Sequence, residues 1–280
     1  MSDISSVQAI DVHAHYGVFQ QDQGNNLRCQ FSSGDATTVV RRAAQVNVAW
    51  SIVSPLLAMM PRPSADAVAG NEEAVKTVAE TDGLLQWVVI HPHQEQTYQQ
   101  AEEMFQQAKC VGIKIHPEEH AYHIRYHGRK IFEFAARHQA VILTHSGQVN
   151  SLPNDFVPFA NDFPEVTLIL AHLGNADDGD PTTQVRAIQA GKHDNLYVDT
   201  SSATSILPQL IEWAVTEVGA AKILFGTDTP LYSTAMQRFR IDTAEISDTD
   251  KRAILRDNAI RAVRLEKVIE SAESGMPVSV

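Results

Sequence analysis

Asp11, His13 and His15 alternate with Ile10, Val12 and Ala14 near the start of the chain. In a β-strand successive side chains point to opposite faces, so the acid and the two imidazoles are expected on one face and the three apolar residues on the other, packed outward against whatever covers the sheet. Two imidazoles two residues apart at a strand end can grip one cation. Further along, single polar residues recur just beyond apolar runs: His116 after 111–115, His145 after 140–144, His172 after 166–171 and Asp228 after 222–225. Any one of them alone reads as a hydrogen-bonded loop anchor or a turn cap. Their shared position at run ends points instead to a cation site built from imidazole and carboxylate. Such donors suit Zn2+, with Mn2+ and Fe2+ as alternatives, because the pattern contains no thiolate and offers no all-oxygen cage for Mg2+.

The elements that must position these residues follow from the alternation of the chain. Short β-rich runs at 10–15, 51–54, 85–90, 111–115, 140–144, 166–171, 195–199 and 222–225 are separated by segments with helical spacing of apolar residues. The helical segments are expected at about 35–48, 71–80, 94–109, 128–138, 153–161, 182–190, 207–218 and 248–269. Strands alternating with helices imply a parallel sheet, and eight such units close into an α/β fold of the (β/α)8 TIM-barrel type. An open doubly wound sheet competes, but no Gly-x-Gly-x-x-Gly follows the first strand. In a barrel the C-terminal ends of the strands form the rim that holds the site. Parity agrees, with Val141, Leu143 and His145 on one face, Leu168, Leu170 and His172 on another, and Leu224, Gly226 and Asp228 on a third. Gly226 beneath Asp228 leaves room near the barrel axis. With no composition break, residues 1–280 read as one domain, and 271–280 as a flexible tail.

Composition excludes several classes of partner. With 22 Lys+Arg against 34 Asp+Glu the net charge is -12, which gives no basic footprint for a nucleic acid. Nor is any stretch long and apolar enough to span a bilayer, and the first residues carry no basic segment followed by an apolar run. Cys29 and Cys110 show no zinc or redox spacing and read as unpaired thiols of a reducing compartment, so a cytoplasmic location is expected. Partners are then a small-molecule substrate and, since barrels often associate, further copies of the chain.

The segments IDVHAH, GIKIHP, THSG, LAHLG and FGTDTP, over about residues 10–265, resemble the amidohydrolase superfamily of metal-dependent barrel enzymes. They are most similar to its amidohydrolase-2 branch, which also holds the aminocarboxymuconate-semialdehyde decarboxylase-like enzymes. The resemblance implies one metal on His13, His15, His145 and Asp228, with His172 as the neighbouring base or carbonyl polariser. It also implies a second metal only if Lys114, which shares parity with His116, is carboxylated. Unmodified, Lys114 or His116 would steady an anionic group of the substrate. The reaction expected first is hydrolysis of an ester, lactone or amide of a small anionic compound, Asp228 taking the proton of a metal-activated water and His172 orienting the carbonyl. The alternative is a lyase, a non-oxidative decarboxylase or hydratase, and a third reading is a metal-binding scaffold without turnover. Decarboxylase-like relatives tend to be longer, which favours hydrolysis. Arg62, Arg125 and Tyr126 are expected to contact substrate from the loops, with Phe31, Met59 and Met60 as apolar walls.

Overall fold

A computed structural model describes residues 4–20, 26–202 and 206–274. Its strands are β1 (Ala9–Tyr16), β2 (Val48–Pro55), β3 (Leu84–Val89), β4 (Cys110–Ile115), β5 (Ile142–Thr144), β6 (Leu168–Leu170), β7 (Leu196–Asp199) and β8 (Ile223–Leu224). Each pairs in parallel with the next, so the order in the sheet is the order in the chain. The main chain just beyond β8 completes the circle against β1. Val12 N–H donates to the Phe225 carbonyl at 2.9 Å, Asp228 N–H to that of His13 at 2.7 Å, and His15 N–H to that of Thr229 at 2.6 Å. The fold is the expected (β/α)8 barrel.

The helices are α1 (Asn26–Phe31), α2 (Ala36–Ala44), α3 (Ala67–Glu80), α4 (Glu95–Met104), α5 (Ile124–His138), α6 (Pro153–Asp162), α7 (Thr183–Ala190) and α8 (Leu210–Val218). They are followed by α9 (Thr234–Asp242), α10 (Asp248–Arg252), α11 (Asn258–Val263) and α12 (Glu266–Ser274). Local chemistry sets several boundaries. The side chains of Asp35, Asp66 and Ser233 accept from the first-turn amides of α2, α3 and α9, satisfying donors that the helices cannot satisfy themselves. None of the helices among the described residues is long and apolar enough to cross a membrane.

Two apolar layers result. The outer one joins Ile113, Ile115, Ile142, Leu168, Leu170, Val198 and Ile223 of the strands to Phe132 and Phe134 of α5 and to other helices. The inner one takes residues from around the whole barrel, among them Val12, Ile52, Trp87, Leu143, Ile169, Tyr197 and Leu224, and is therefore the barrel's own filling. Ala262, Val263, Leu265 and Val268 of the C-terminal segment join that inner layer. Together with Val111 and Val141 at the starts of β4 and β5 they close the N-terminal end of the barrel.

Three expectations are corrected. First, Ile10 and Val12 belong to the inner layer, not the outer. The pairing of β1 with β2 slips between Asp11 and Ala14, a bulge that lets Val12, His13 and His15 all serve the interior while Ala14 and Tyr16 pack against Val39 of α2. Asp11 turns aside and accepts from the N–H and hydroxyl of Thr227. Second, in β6 the inward residues are Ile169 and Ala171, one step out of the expected parity. Third, the helix expected at 248–269 is broken. The Ile254 carbonyl is drawn off to the Phe225 N–H at 3.0 Å within a π-helical turn, and Arg264 ends α11 in the left-handed region at φ 62°. Of the tail expected at 271–280, residues 271–274 continue α12, and 275–280 lie outside the described residues.

Candidate metal and catalytic site

The bulge in β1 brings both of its imidazoles to the C-terminal mouth, where His13 and His15 are buried. His15 Nδ1 lies 2.9 Å from the Ser54 carbonyl oxygen, which can only accept, so the ring hydrogen sits on Nδ1. Its Nε2 then presents a lone pair to Asp228 Oδ1 at 3.0 Å. His13 Nε2 lies 3.5 Å from the same oxygen. A lone pair facing a carboxylate oxygen at this distance is two acceptors in contact, and a cation between them resolves the conflict. The donor atoms of His13, His15 and Asp228 all lie within 4.8 Å of one another. Two imidazoles and a carboxylate, buried and converging, fit a divalent transition-metal ion. The one positive group already there is the Lys114 ammonium, 2.9 Å from His13 Nε2.

Backbone strain places two further residues. His172 and Asp228 are not glycines, yet they stand at φ 70° and 57°. That region disfavours L side chains and is held only where the surroundings over-determine it. At His172 the turn brings to the mouth a side chain that the parity of β6 would have sent outward. Gly226 does the complementary work, since a Cβ there would come within 3.0 Å of Asp199 Cγ and 3.1 Å of His13 Cβ. The room it was expected to leave is therefore used.

The remaining imidazoles form the opposite wall. His145 stacks on His116 with ring centres 4.2 Å apart, its Nδ1 is 3.1 Å from His172 Nε2, and its Nε2 is 2.6 Å from Gln148 Oε1. His145 thus stands beside the three-donor group and is not part of it. Lys114 is fully buried, with His116 just beyond it on the same face of β4. A cavity of about 250 Å3 opens over the site, bounded by these rings and by Met60, Glu119, Asn175, Leu231 and Tyr232.

Burial and mutual repulsion govern the protonation states. Burial lowers His13 and His172 to about 4 and pushes His116 and His145 well below the ordinary imidazole range. All four rings are therefore neutral and able to donate lone pairs. Burial also lowers Lys114 to about 8, against the pull of Asp199 and Asp228. For Asp228 burial acts upward but is outweighed by the facing imidazoles of His15, His13 and His172, so its carboxyl stays below the usual range. Asp199 is held low in the same way by His13, His172 and Ser201.

Several loop residues expected to touch substrate do not line this cavity. Arg62 gives its guanidinium to the Glu118 carbonyl and its main-chain N–H to Glu119. Arg125 is paired with Asp155, and Tyr126 is 74% exposed on the outer side of α5. Phe31 is exposed on α1, and Met59 is fully buried beneath the wall that Met60 forms. Sequence reasoning missed Asp199 and Ser201, which hold the far sides of the His13 and His172 rings. Asp199 carried the same signal as the others, a polar residue at the end of an apolar run. Gln148, Glu119 and Tyr232 carried none.

Comparison with known proteins extends this picture. No curated protein matches the chain. Among solved structures, 2,6-dihydroxybenzoate decarboxylase from Rhizobium is similar over 92% of this chain and 99% of its own, with TM-score 0.72 and 14% identity. Dihydroxybenzoic acid decarboxylase from Polaromonas sp. JS666, solved with manganese and the inhibitor 2-nitroresorcinol, gives TM-score 0.69 at 15% identity, over 92% of this chain and 97% of its own. Amidohydrolase 2 from Bifidobacterium longum subsp. infantis gives TM-score 0.63 at 17% identity, over 91% and 98%. At these identities the likeness is one of fold. The sequence itself matches the amidohydrolase family profile over residues 10–265, from the first imidazole-bearing strand to the residue that precedes α12, and the chain belongs to that family.

Proposed function

We propose that the chain is a metal-dependent lyase that releases the carboxyl group of a small aromatic acid as CO2 without oxidation. The observation that carries this reading is the pairing of the His13, His15 and Asp228 donor group with the fully buried ammonium of Lys114, 2.9 Å from His13 Nε2. An anionic carboxylate is the substrate group that such a concentration of positive charge selects. The cavity, about 250 Å3 with Met60, Leu231 and Tyr232 on its walls, has room for a single ring. The solved relatives named for decarboxylation support the same choice. Chain length no longer speaks for hydrolysis, because this chain covers 97–99% of the Rhizobium and Polaromonas enzymes.

His13, His15 and Asp228 would hold the ion, and His145 on the adjoining wall is the further imidazole that could join them. When bound, the divalent cation supplies charge that fixes the substrate's oxygens and stabilises negative charge developing on them. Lys114 does not line the cavity itself and would act on the carboxylate through its charge, from behind the His13 ring. The bond between ring carbon and carboxyl carbon breaks, its electron pair stays on the ring carbon, and that carbon takes a proton. That proton comes from water in the open cavity and would pass by way of the His172 Nε2 lone pair or the Asp228 carboxylate, both of which line the cavity and must take it up before handing it on. Zn2+ and Mn2+ both suit the donors, and Mn2+ is the ion in the Polaromonas relative. The test is to load the protein with Mn2+ or Zn2+ and supply hydroxybenzoates, lactones and amides in 18O-labelled water. Release of CO2 with no 18O in the organic product is expected. Label entering the product without CO2 would establish hydrolysis instead.

A further inference from the structure

Besides the cation group, a second set of buried donors, His13, His172 and Asp199, converges behind the His13 ring. It is not a second ion site, because the Ser201 hydroxyl fills its centre. Ser201 Oγ lies 2.8 Å from His172 Nδ1, 3.0 Å from His13 Nδ1 and 2.5 Å from Asp199 Oδ1.

The hydrogens in this cluster can be placed by counting donors and acceptors. Asp199 Oδ1 receives the main-chain N–H groups of His172 at 3.1 Å and of Ser201 at 2.9 Å. Amide N–H groups only donate, so this oxygen is an acceptor, and the hydroxyl beside it must aim its one hydrogen there. The Ser201 oxygen keeps only lone pairs for the two rings. His172 must therefore bring a hydrogen on Nδ1. His13 Nδ1 faces that same oxygen and also Asp199 Oδ2 at 2.9 Å, two acceptors, and must bring one as well.

We propose that Asp199 and Ser201 are positioning residues that lock the tautomers of His13 and His172 together, with hydrogen on both Nδ1 atoms and a lone pair on both Nε2 atoms. His13 Nε2 is thereby reserved for the cation, and the His172 Nε2 lone pair at the cavity wall faces His145 Nδ1 3.1 Å away, so His145 must bring the hydrogen of that contact and the Gln148 amide must turn its NH2 to His145 Nε2. Through its bond to the His172 N–H, Asp199 also pins the strained turn that delivers that ring. The inference rests on the metal site proposed above for its use, though the tautomers can be read without it.

The test is 15N NMR of histidine-labelled protein, metal-stripped and Zn2+-loaded, with His172 assigned by difference against His172→Gln. Wild type should show Nδ1–H on both rings. In Asp199→Asn the amide oxygen must stay on the two main-chain N–H groups, so the NH2 faces His13 Nδ1 and drives its hydrogen to Nε2. Zn2+ affinity, measured by chelator competition, should then fall by about 10–100-fold. Ser201→Ala should leave Zn2+ affinity near wild type, while His172 loses its single tautomer and the acidic limb of the pH profile shifts. Nε2–H on either ring of the wild type, or an unchanged His13 in a folded Asp199→Asn, would overturn the proposal. Should Asp199→Asn fail to fold, the wild-type and Ser201→Ala spectra decide alone. Wild type that shows both Nδ1–H forms but binds no Zn2+ supports the lock and sinks the metal reading.

Discussion

The imidazoles at the mouth show how little a residue's identity says without its neighbours. His13 and His15 differ by two positions, yet one ring is held by a carboxylate and the other by a main-chain carbonyl. What they share is an Nε2 aimed at Asp228. Asp228→Asn keeps the shape and removes the charge, and it should lower the rate of CO2 release by about 10²–10⁴-fold while reducing bound metal. Lys114→Met removes the buried ammonium but keeps the apolar stem. If Lys114 acts on the carboxylate through its charge, KM should rise about ten- to a hundredfold in steady-state assays, the worth of a charge pair in the partly screened interior of a protein. Unchanged KM would place the carboxylate elsewhere.

At the level of elements, the strand and helix pattern was written plainly, because each strand is a short apolar run and each helix repeats its apolar residues at helical spacing. The rim followed from that pattern, so the positions of His116, His145 and Asp228 could be read directly. Alternation within a strand was a less reliable guide. It failed at β1, where a bulge adds a residue, and at β6, where His172 depends on a left-handed turn after the strand ends. Bulges and left-handed turns are set by long-range bonds, such as those from Asp199, that no local window contains. The loop arginines misled for a related reason, since Arg62 and Arg125 were already engaged by Glu118 and Asp155. Gly226 tests the packing between β8, β7 and β1. Gly226→Ala must push Asp199 or His13 aside, and a cost of about 1–3 kcal/mol in urea unfolding, with weaker metal binding, is expected.

For the whole molecule, the buried imidazoles couple stability to acidity. His13, His172 and, away from the site, His120 are each lowered to about 4 by burial. An exposed imidazole in the unfolded chain titrates near 6.5, so between there and pH 4 the unfolded state binds more protons than the folded one. In metal-stripped protein the imidazole contribution to stability should be fully present above about pH 6.5 and decline as pH falls toward 4, opposed in part by Asp11, which burial raises to about 8. Urea midpoints at pH 7, 6 and 5 will show this decline, and a flat series would contradict the burial of these rings. The barrel also joins the two ends of its own sequence: His13 and His15 lie on its first strand, while Asp228 follows its last and α11 and α12 close its floor. On the ribosome, the early pair must wait through most of translation before its anionic partner emerges from the exit tunnel. If the group holds the proposed ion, nascent fragments that stop short of Asp228 should not retain it, and metal loading would be confined to chains whose final strand has been made.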